Sequence, residues 1–93
     1  MRCLRYITVT TEDRQYYVYI IECSDCSLYT GYTADIDARI TKHNAGLGAK
    51  YTRGRLPVTL RYVEVLDSKS SALKREYAIK QLTKQQKLSL IGG

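Results

Sequence analysis

The sequence predicts one α/β domain of the α+β kind, and three of its patterns lead to that fold class. Two aromatic and β-branched runs, residues 16–23 and 28–33, are typical of adjacent buried strands. A segment with helical spacing follows them from residue 35. An alternating run at residues 58–66 predicts a third strand, and two more helical segments follow it.

The loop between the first two strands decides which side chains share a face of the sheet. With a two-residue loop, Tyr19 and Tyr29 would lie on opposite faces. With a three-residue loop, residues 24–26, Tyr19 pairs with Gly31 and shares a face with Tyr29. We predict the three-residue loop, with Cys26 in the left-handed conformation that glycine usually adopts there. This conformation costs a non-glycine residue on the order of 1–2 kcal/mol.

The first predicted helix begins at Asp35, whose carboxylate suits the N-cap position. Gly46 suits the left-handed position that ends a helix. Between them, Arg39 and His43 are four residues apart, so they lie on one face. Residues 46–54 are predicted to be a glycine-rich basic loop that can approach phosphate. An ordinary surface loop is the alternative.

Two further helices are predicted in the last quarter of the chain. Ser70 or Ser71 caps the first of them, which runs to about Leu82. Thr83 begins the second, and Gln86 completes a capping box. The predicted core positions are Leu73, Tyr77 and Ile79 in the first, and Leu88, Leu90 and Ile91 in the second.

Positive charge is concentrated in two parts of this chain, whose formal net charge is +6. Residues 38–63 contain six Lys and Arg residues and no acid, and residues 68–93 contain six more with Glu76 as the only acid. This asymmetry indicates a polyanion partner, most often nucleic acid, and a solubilising surface is the alternative. The candidate nucleic-acid contacts are Tyr32, Lys50, Tyr51, Arg53, Arg55 and Lys80.

The N-terminal segment and the cysteine spacing bear on where the protein acts and on whether it binds zinc. No run of about 18 apolar residues is present, and the N-terminus lacks the apolar core of a signal peptide, so we expect a cytoplasmic protein. Residues 1–15 are expected to be an N-terminal extension, with a possible strand at residues 4–10, and residues 16–91 the functional domain. Cys23 and Cys26 have the spacing of a zinc half-site or redox pair. Because structural zinc takes four ligands, we interpret them as a strand residue and a turn residue.

The order of the polar residues resembles the GIY-YIG nuclease family. The triplets YVY at residues 17–19 and YTG at residues 29–31 are followed by Arg39, His43 and Glu76. The small stand-alone bacterial members share further segments, which here are HNAG at 43–46, GAKYTR at 48–53, PV at 57–58 and ALKREYAIK at 72–80. The resemblance covers about residues 16–88.

The resemblance implies a three-stranded antiparallel sheet with helices packed around it, and a single divalent ion, Mg²⁺ or Mn²⁺, held by Glu76. It implies that Tyr19 or Tyr29 orients or deprotonates the attacking water, while Arg39 contacts the scissile phosphate. His43, with an ordinary pKa of about 6.5, can accept or relay a proton. A cation and a guanidinium suit phosphodiester hydrolysis, because both neutralise the negative charge that builds on the phosphoryl oxygens.

Four positions depart from the family pattern. Tyr17 stands where the first triplet usually has glycine, and Cys26 stands where the hairpin loop usually has it. Tyr32 stands where the excision-repair relatives have lysine. Many relatives use an asparagine downstream of the glutamate, whereas the single asparagine of this chain is Asn44.

The sequence therefore predicts a metal-dependent DNA endonuclease acting in DNA repair, recombination or processing. Its expected partner is DNA, branched, nicked or duplex, with no membrane and no small-molecule cofactor. The alternative is a nucleic-acid-binding module with the same fold and little or no cleavage. In that case Glu76 would merely pair with Lys80, and Arg39 with Asp35, as neighbours one helical turn apart.

Overall fold

Strands and helices follow one another along residues 15–92, the part of the chain that this computed structural model describes. The predicted strand at residues 4–10 lies outside the described residues. The elements are β1 (Tyr16–Glu22), β2 (Leu28–Thr33), α1 (Ile36–Asn44), α2 (Lys50–Arg53), β3 (Thr59–Leu66), α3 (Lys69–Lys80) and α4 (Lys84–Ile91).

The sheet has three strands in the order β2-β1-β3, and both pairings are antiparallel. β1 is the central strand, which agrees with its dense aromatic and β-branched composition. A register irregularity in the β1–β3 pairing falls between Ile20 and Ile21. The predicted fold class, α+β with a three-stranded antiparallel sheet and helices around it, is confirmed.

The β1–β2 hairpin has the predicted register. Tyr19 pairs with Gly31 and Ile21 pairs with Tyr29, so Tyr19 and Tyr29 lie on the same face of the sheet. Cys26 has φ 70°, the left-handed conformation predicted for the three-residue loop. The amide of Cys26 donates to the carbonyl of Cys23 at 2.9 Å and closes the turn.

The two faces of the sheet carry separate hydrophobic clusters. On one face, Val18 and Ile20 of β1 pack with Ala72 and Ile79 of α3, and α4 adds half-buried side chains. On the other face, Tyr19, Ile21, Cys23 and Val58 form a second cluster, against which Ile36 and Ile40 of α1 pack. This second face carries Tyr19 and Tyr29 and is closed by α1.

The predicted helix ends are confirmed at three positions. The Asp35 carboxylate accepts a hydrogen bond from the amide of Ala38 at 3.1 Å and caps α1. Gly46 follows that helix with φ 80°. The side chains of Thr83 and Gln86 form the predicted reciprocal capping box at the start of α4.

The third helix differs from its prediction. Its N-cap is Ser68, not Ser70 or Ser71, and it ends at Lys80. The predicted core position Ile79 is confirmed, since its side chain is fully buried, but Leu73 is 41% exposed and Tyr77 is 68% exposed, and Ala72 is fully buried in their place. The prediction favoured the larger apolar pair, but the small Ala72 side chain is the one that lets the helix approach the sheet.

The basic segment after α1 is not wholly a loop. Residues 50–53 form one helical turn, α2, because the carbonyl of Ala49 accepts from the amide of Thr52 at 3.1 Å. This turn buries the Thr52 side chain completely and leaves Lys50 and Arg53 exposed. None of the helices within residues 15–92 combines the length and the apolar character needed to cross a bilayer.

Candidate active site

The hydroxyl of Tyr19 lies at the centre of the candidate site. The side chain is fully buried and lies across its pairing partner on β2, Gly31. A Cβ atom added at Gly31 would be 2.5 Å from the Tyr19 hydroxyl oxygen and 2.7 Å from Cζ. Only glycine therefore leaves room for the phenol in this position.

Two side chains from one face of α1 meet at this oxygen. Arg39 Nε donates a hydrogen bond to the Tyr19 hydroxyl at 3.3 Å, and His43 Nε2 lies 3.0 Å from it. The four-residue spacing of Arg39 and His43 predicted that they share a face, and the structure confirms it. The alternative partner of Arg39, Asp35, forms no ion pair with it.

His43 is fully buried, and both of its ring nitrogens lie within hydrogen-bond distance of a neighbouring hydroxyl. Its Nδ1 lies 2.9 Å from Thr52 Oγ1, and the Thr52 hydroxyl donates to the carbonyl of Ala49 at 3.0 Å. A Cβ at Gly48 would be 2.4 Å from the same Nδ1, so this glycine makes room for the ring. Sequence reasoning assigned no role to Thr52 or Gly48, although both lie in the GAKYTR segment.

Burial shifts the proton affinities of both rings. It raises the pKa of the Tyr19 phenol, and the negative charge of Glu76 acts in the same direction, while the hydrogen bond and charge of Arg39 oppose the shift. Burial also lowers the pKa of His43, with a smaller contribution from the positive charge of Arg39. At neutral pH the phenol is therefore protonated and the imidazole neutral.

Tyr29 differs from Tyr19 in being only half-buried. Its ring meets His43 edge-on, with centroids 5.6 Å apart, and it stacks on Tyr51, with centroids 5.9 Å apart and planes 20° from parallel. Its hydroxyl makes no hydrogen bond with any residue between 15 and 92. Tyr29 thus lies next to the Tyr19–His43 pair, with a hydroxyl that none of the described residues occupies.

Glu76 approaches the same place from α3. Its side chain is 16% exposed and pairs with Lys80, whose Nζ is 3.4 Å from Glu76 Oε2. The Lys80 Nζ is also 6.0 Å from the centroid of the Tyr29 ring. The ion pair expected from the four-residue spacing is present, and it lies beside Tyr29.

The donor set around Glu76 fits a hydrated hard cation. Within residues 15–92, no three His, Cys, Asp or Glu side chains are grouped so that they could hold a metal ion together. Mg²⁺ commonly uses one or two carboxylates, several waters and substrate phosphates, which suits a single, partly exposed Glu76. The same finding applies to Cys23 and Cys26, for which residues 15–92 supply no third zinc ligand. The Cys23 thiol is buried and the Cys26 thiol lies in the exposed turn.

The predicted nucleic-acid contacts are only partly brought together. Tyr51 stacks on Tyr29, and Lys50 and Arg53 are exposed on the same short helix. Arg55 lies over the Tyr51 ring at 4.2 Å but is paired with Asp25 at 3.0 Å. Hydrogen bonds from Ser27, with help from Arg55, lower the pKa of that Asp25 carboxyl.

Tyr32 is on the opposite face of the sheet from Tyr19 and Tyr29, packed against the cluster of Val18 and Ile20. The alternation of side chains along β2 explains this, since Tyr32 is three residues from Tyr29. Lys80, in contrast, lies beside Tyr29 through its pairing with Glu76.

A basic cleft of about 310 Å³ opens next to Tyr51. Leu28 and Leu82 contribute its apolar lining, and Lys84 and Lys87 contribute two ammonium groups. The Asp25 carboxylate also lines it and is paired with Arg55. Burial lowers the pKa of Lys87, and the positive charge of Lys80 adds to the effect. Sequence reasoning did not single out this cleft, since it depends on how α4 packs against the hairpin turn.

Comparison with known proteins finds relatives that match this chain over nearly their whole length. The model of the GIY-YIG catalytic domain matches residues 15–89. A UPF0213 protein of Halobacterium salinarum is 63% identical over 75 residues, which cover 81% of this chain and 97% of the relative. A UPF0213 protein of Staphylococcus aureus is 60% identical over 76 residues, covering 82% of this chain and 93% of the relative.

Two solved structures are similar in fold. The solution NMR structure of a UPF0213 protein from Bacillus halodurans has a TM-score of 0.55 and 50% identity, and covers 84% of this chain and 83% of that one. The solution NMR structure of a protein from E. faecalis has a TM-score of 0.56 and 40% identity, covering 87% of this chain and 88% of that one.

Proposed function

The chain belongs to the GIY-YIG nuclease family, and from this premise we propose that it is a metal-dependent DNA endonuclease that hydrolyses phosphodiester bonds. One observation carries the proposal: two tyrosines of one sheet face, two side chains of α1 and a carboxylate of α3 converge. The Arg39 guanidinium and the Glu76 charge both act on the Tyr19 phenol. A guanidinium and a carboxylate that can hold a metal ion are suited to stabilising the negative charge that develops during phosphodiester cleavage.

Arg39 is proposed to bind the scissile phosphate. Its Nε is occupied by the Tyr19 hydroxyl, which fixes the plane of the guanidinium. The two terminal Nη groups have no hydrogen-bond partner within residues 15–92, so they remain available for the two parallel hydrogen bonds that guanidinium forms with phosphate. Tyr19 and His43 thus serve to hold Arg39.

Tyr29 is proposed to orient or deprotonate the attacking water. The Tyr19 hydroxyl is fully buried and already bonded to two side chains, so a water molecule has no access to it. Tyr29 is half-buried, and among residues 15–92 its hydroxyl has no hydrogen-bond partner. A neutral phenol is a weak base, so nearby positive charge, from Lys80 and a bound cation, must assist it.

Glu76 is proposed to hold one Mg²⁺ or Mn²⁺ ion. When bound, the ion would neutralise charge that develops on the phosphate and the leaving oxygen. Lys80 competes for the same carboxylate, because its Nζ lies 3.4 Å from it. Lys80 must therefore turn away when the cation binds, and its long side chain is 45% exposed and free to do so.

The proposed DNA-binding surface surrounds these groups. It consists of Lys50 and Arg53 on α2 and the lysines of the cleft, Lys84 and Lys87. We propose that residues 16–91 carry the activity, and that the protein acts in the cytoplasm on branched, nicked or duplex DNA in repair, recombination or processing. Binding through phosphate contacts should weaken steeply as salt increases.

A nicking assay tests the proposal. Supercoiled and oligonucleotide DNA are incubated with Mg²⁺ or Mn²⁺, and the wild type should nick them while Glu76→Ala should not, although it still binds. Glu22→Ala is the matched control, because Glu22 pairs with Arg61 at the end of β1, away from the cluster. If Glu76→Ala nicks as fast as the wild type, the proposal is wrong, and DNA binding without any cleavage would favour the binding module.

A further inference from the structure

Four buried or half-buried side chains form one continuous chain of hydrogen bonds that begins at the carbonyl of Ala49. The chain passes from Thr52 to His43 at 2.9 Å, to Tyr19 at 3.0 Å and to Arg39 at 3.3 Å. Thr52, His43 and Tyr19 are each fully buried. Because water does not reach these groups, their hydrogen atoms must be accommodated within the chain itself.

The chain can run in two directions, because a neutral imidazole has one donor nitrogen and one acceptor nitrogen. In the first direction, His43 carries its hydrogen on Nδ1 and donates to the Thr52 oxygen. The Thr52 hydroxyl donates to the carbonyl of Ala49 at 3.0 Å. His43 Nε2 accepts the Tyr19 hydroxyl hydrogen, and the phenol oxygen accepts from Arg39. Every donor then has an acceptor.

In the second direction, Thr52 donates to Nδ1 and the hydrogen of His43 lies on Nε2. Both Nε2–H and the Nε–H of Arg39 then donate to the phenol oxygen. The Tyr19 hydroxyl hydrogen is left with no acceptor among the described residues, although Tyr19 is fully buried. A buried donor without a partner loses its hydration without compensation, so the first direction is favoured.

We propose that Thr52 is a positioning residue, which holds His43 in the Nδ1–H tautomer and thereby keeps the Tyr19 oxygen as an acceptor for Arg39. Without the Thr52 oxygen, Nδ1–H has no acceptor, so each tautomer leaves one buried donor unpaired and the hydrogen is shared between Nδ1 and Nε2. In the molecules that carry it on Nε2, Nε2–H competes with Arg39 for the phenol oxygen, and the guanidinium is no longer fixed in one plane. The role of Arg39 at the phosphate rests on the proposed function, whereas the tautomer does not.

The tautomer can be measured directly, because the chain contains one histidine. Long-range proton–nitrogen NMR correlation on the ¹⁵N-labelled protein at neutral pH reports which ring nitrogen carries the hydrogen. The expected result for the wild type is protonated Nδ1 and unprotonated Nε2. A wild-type spectrum with protonated Nε2 overturns the proposal, whether or not the protein cleaves DNA.

Two variants connect the tautomer to the reaction. Thr52→Val removes the hydroxyl with little change of shape, and Thr52→Ser restores it. Thr52→Val should populate the Nε2–H tautomer of His43 beside the Nδ1–H tautomer and lower kcat for DNA cleavage by roughly 10–100-fold, the range found for partners that orient metal-binding side chains. KM should change little, because the basic surface is intact. Thr52→Ser should recover both properties.

The outcomes separate this inference from the proposed function. A Thr52→Val protein that keeps the wild-type tautomer or the wild-type kcat overturns the positioning role. If Thr52→Val does not fold, the wild-type spectrum and the Thr52→Ser variant still decide the matter. If the wild type does not cleave DNA at all, the proposed function fails, while the spectrum alone still tests the tautomer.

Discussion

Gly31→Ala is the substitution for which the structure makes its sharpest prediction. The new Cβ would lie 2.5 Å from the Tyr19 hydroxyl oxygen and 2.7 Å from Cζ, well inside van der Waals contact. Tyr19 pairs with Gly31 in the middle of the hairpin, so backbone movement alone cannot separate them. The phenol must leave its place, and its bonds to His43 and Arg39 must break.

The expected loss of stability follows from two contributions. Forcing extra volume into a packed core costs about 1–3 kcal/mol. Losing two buried hydrogen bonds costs about 0.5–1.5 kcal/mol each. Their sum is about 2–6 kcal/mol, a large fraction of the 5–15 kcal/mol by which domains are typically stable. Cleavage should fall to background in any fraction that remains folded.

Urea denaturation followed by circular dichroism measures this loss, with Gly54→Ala as the control. Gly54 has φ −94°, and no atom lies within 4 Å of the position of its added Cβ. The free energy of unfolding of Gly54→Ala should therefore lie within about 0.5 kcal/mol of the wild-type value. In a double-mutant cycle, Tyr19→Phe should recover part of the loss caused by Gly31→Ala. A Gly31→Ala protein as stable as the control would refute the close packing of Tyr19 on β2.

Three further predictions concern charge. Because burial lowers the pKa of His43, the unfolded chain binds the proton more readily than the folded protein does. The free energy of unfolding should therefore fall as pH drops below about 6.5. In urea titrations between pH 7.5 and 5, His43→Gln should lack the part of this pH dependence that comes from His43. The double variant Lys84→Gln/Lys87→Gln should reduce the slope of the log binding constant for DNA against log salt by about 0.9 for each phosphate that is no longer neutralised. Fluorescence anisotropy in EDTA measures this slope, and Lys74→Gln, the control, should leave it unchanged. An unchanged slope in the double variant would exclude the cleft from DNA binding. Lys80→Gln should tighten Mn²⁺ binding measured without DNA, because it removes the cation that pairs with Glu76; weaker binding would show that Lys80 does not compete with the ion.

Local rules were sufficient for much of the site. The register of the hairpin followed from loop length and strand alternation, and it correctly placed Tyr19 and Tyr29 on one face. The helical repeat correctly placed Arg39 and His43 on one face of α1. These relations hold within one hairpin or one helix, where the geometry of the backbone determines the outcome.

Contacts between distant elements could not be predicted in this way. Thr52 meets His43 only because α2 folds back on α1, and a single threonine in a basic segment carries no sign of that. Leu73 and Tyr77 were wrongly predicted as core residues, since apolar spacing does not show which face of α3 meets the sheet. The face on which Tyr32 lies is a different case, because strand alternation alone puts it opposite Tyr29. Its contact with nucleic acid stays a prediction.

A manganese titration followed by NMR would locate the proposed cation site beside Glu76. Paramagnetic Mn²⁺ broadens the signals of nearby residues, so ¹⁵N–¹H spectra locate the ion without requiring cleavage. Broadening should begin at Glu76 and Lys80 of α3 and at Tyr29 of β2, and Glu76→Ala should abolish it. Broadening that begins elsewhere, or that is unchanged in Glu76→Ala, would contradict a metal site at the meeting point of α3 and the tyrosine face.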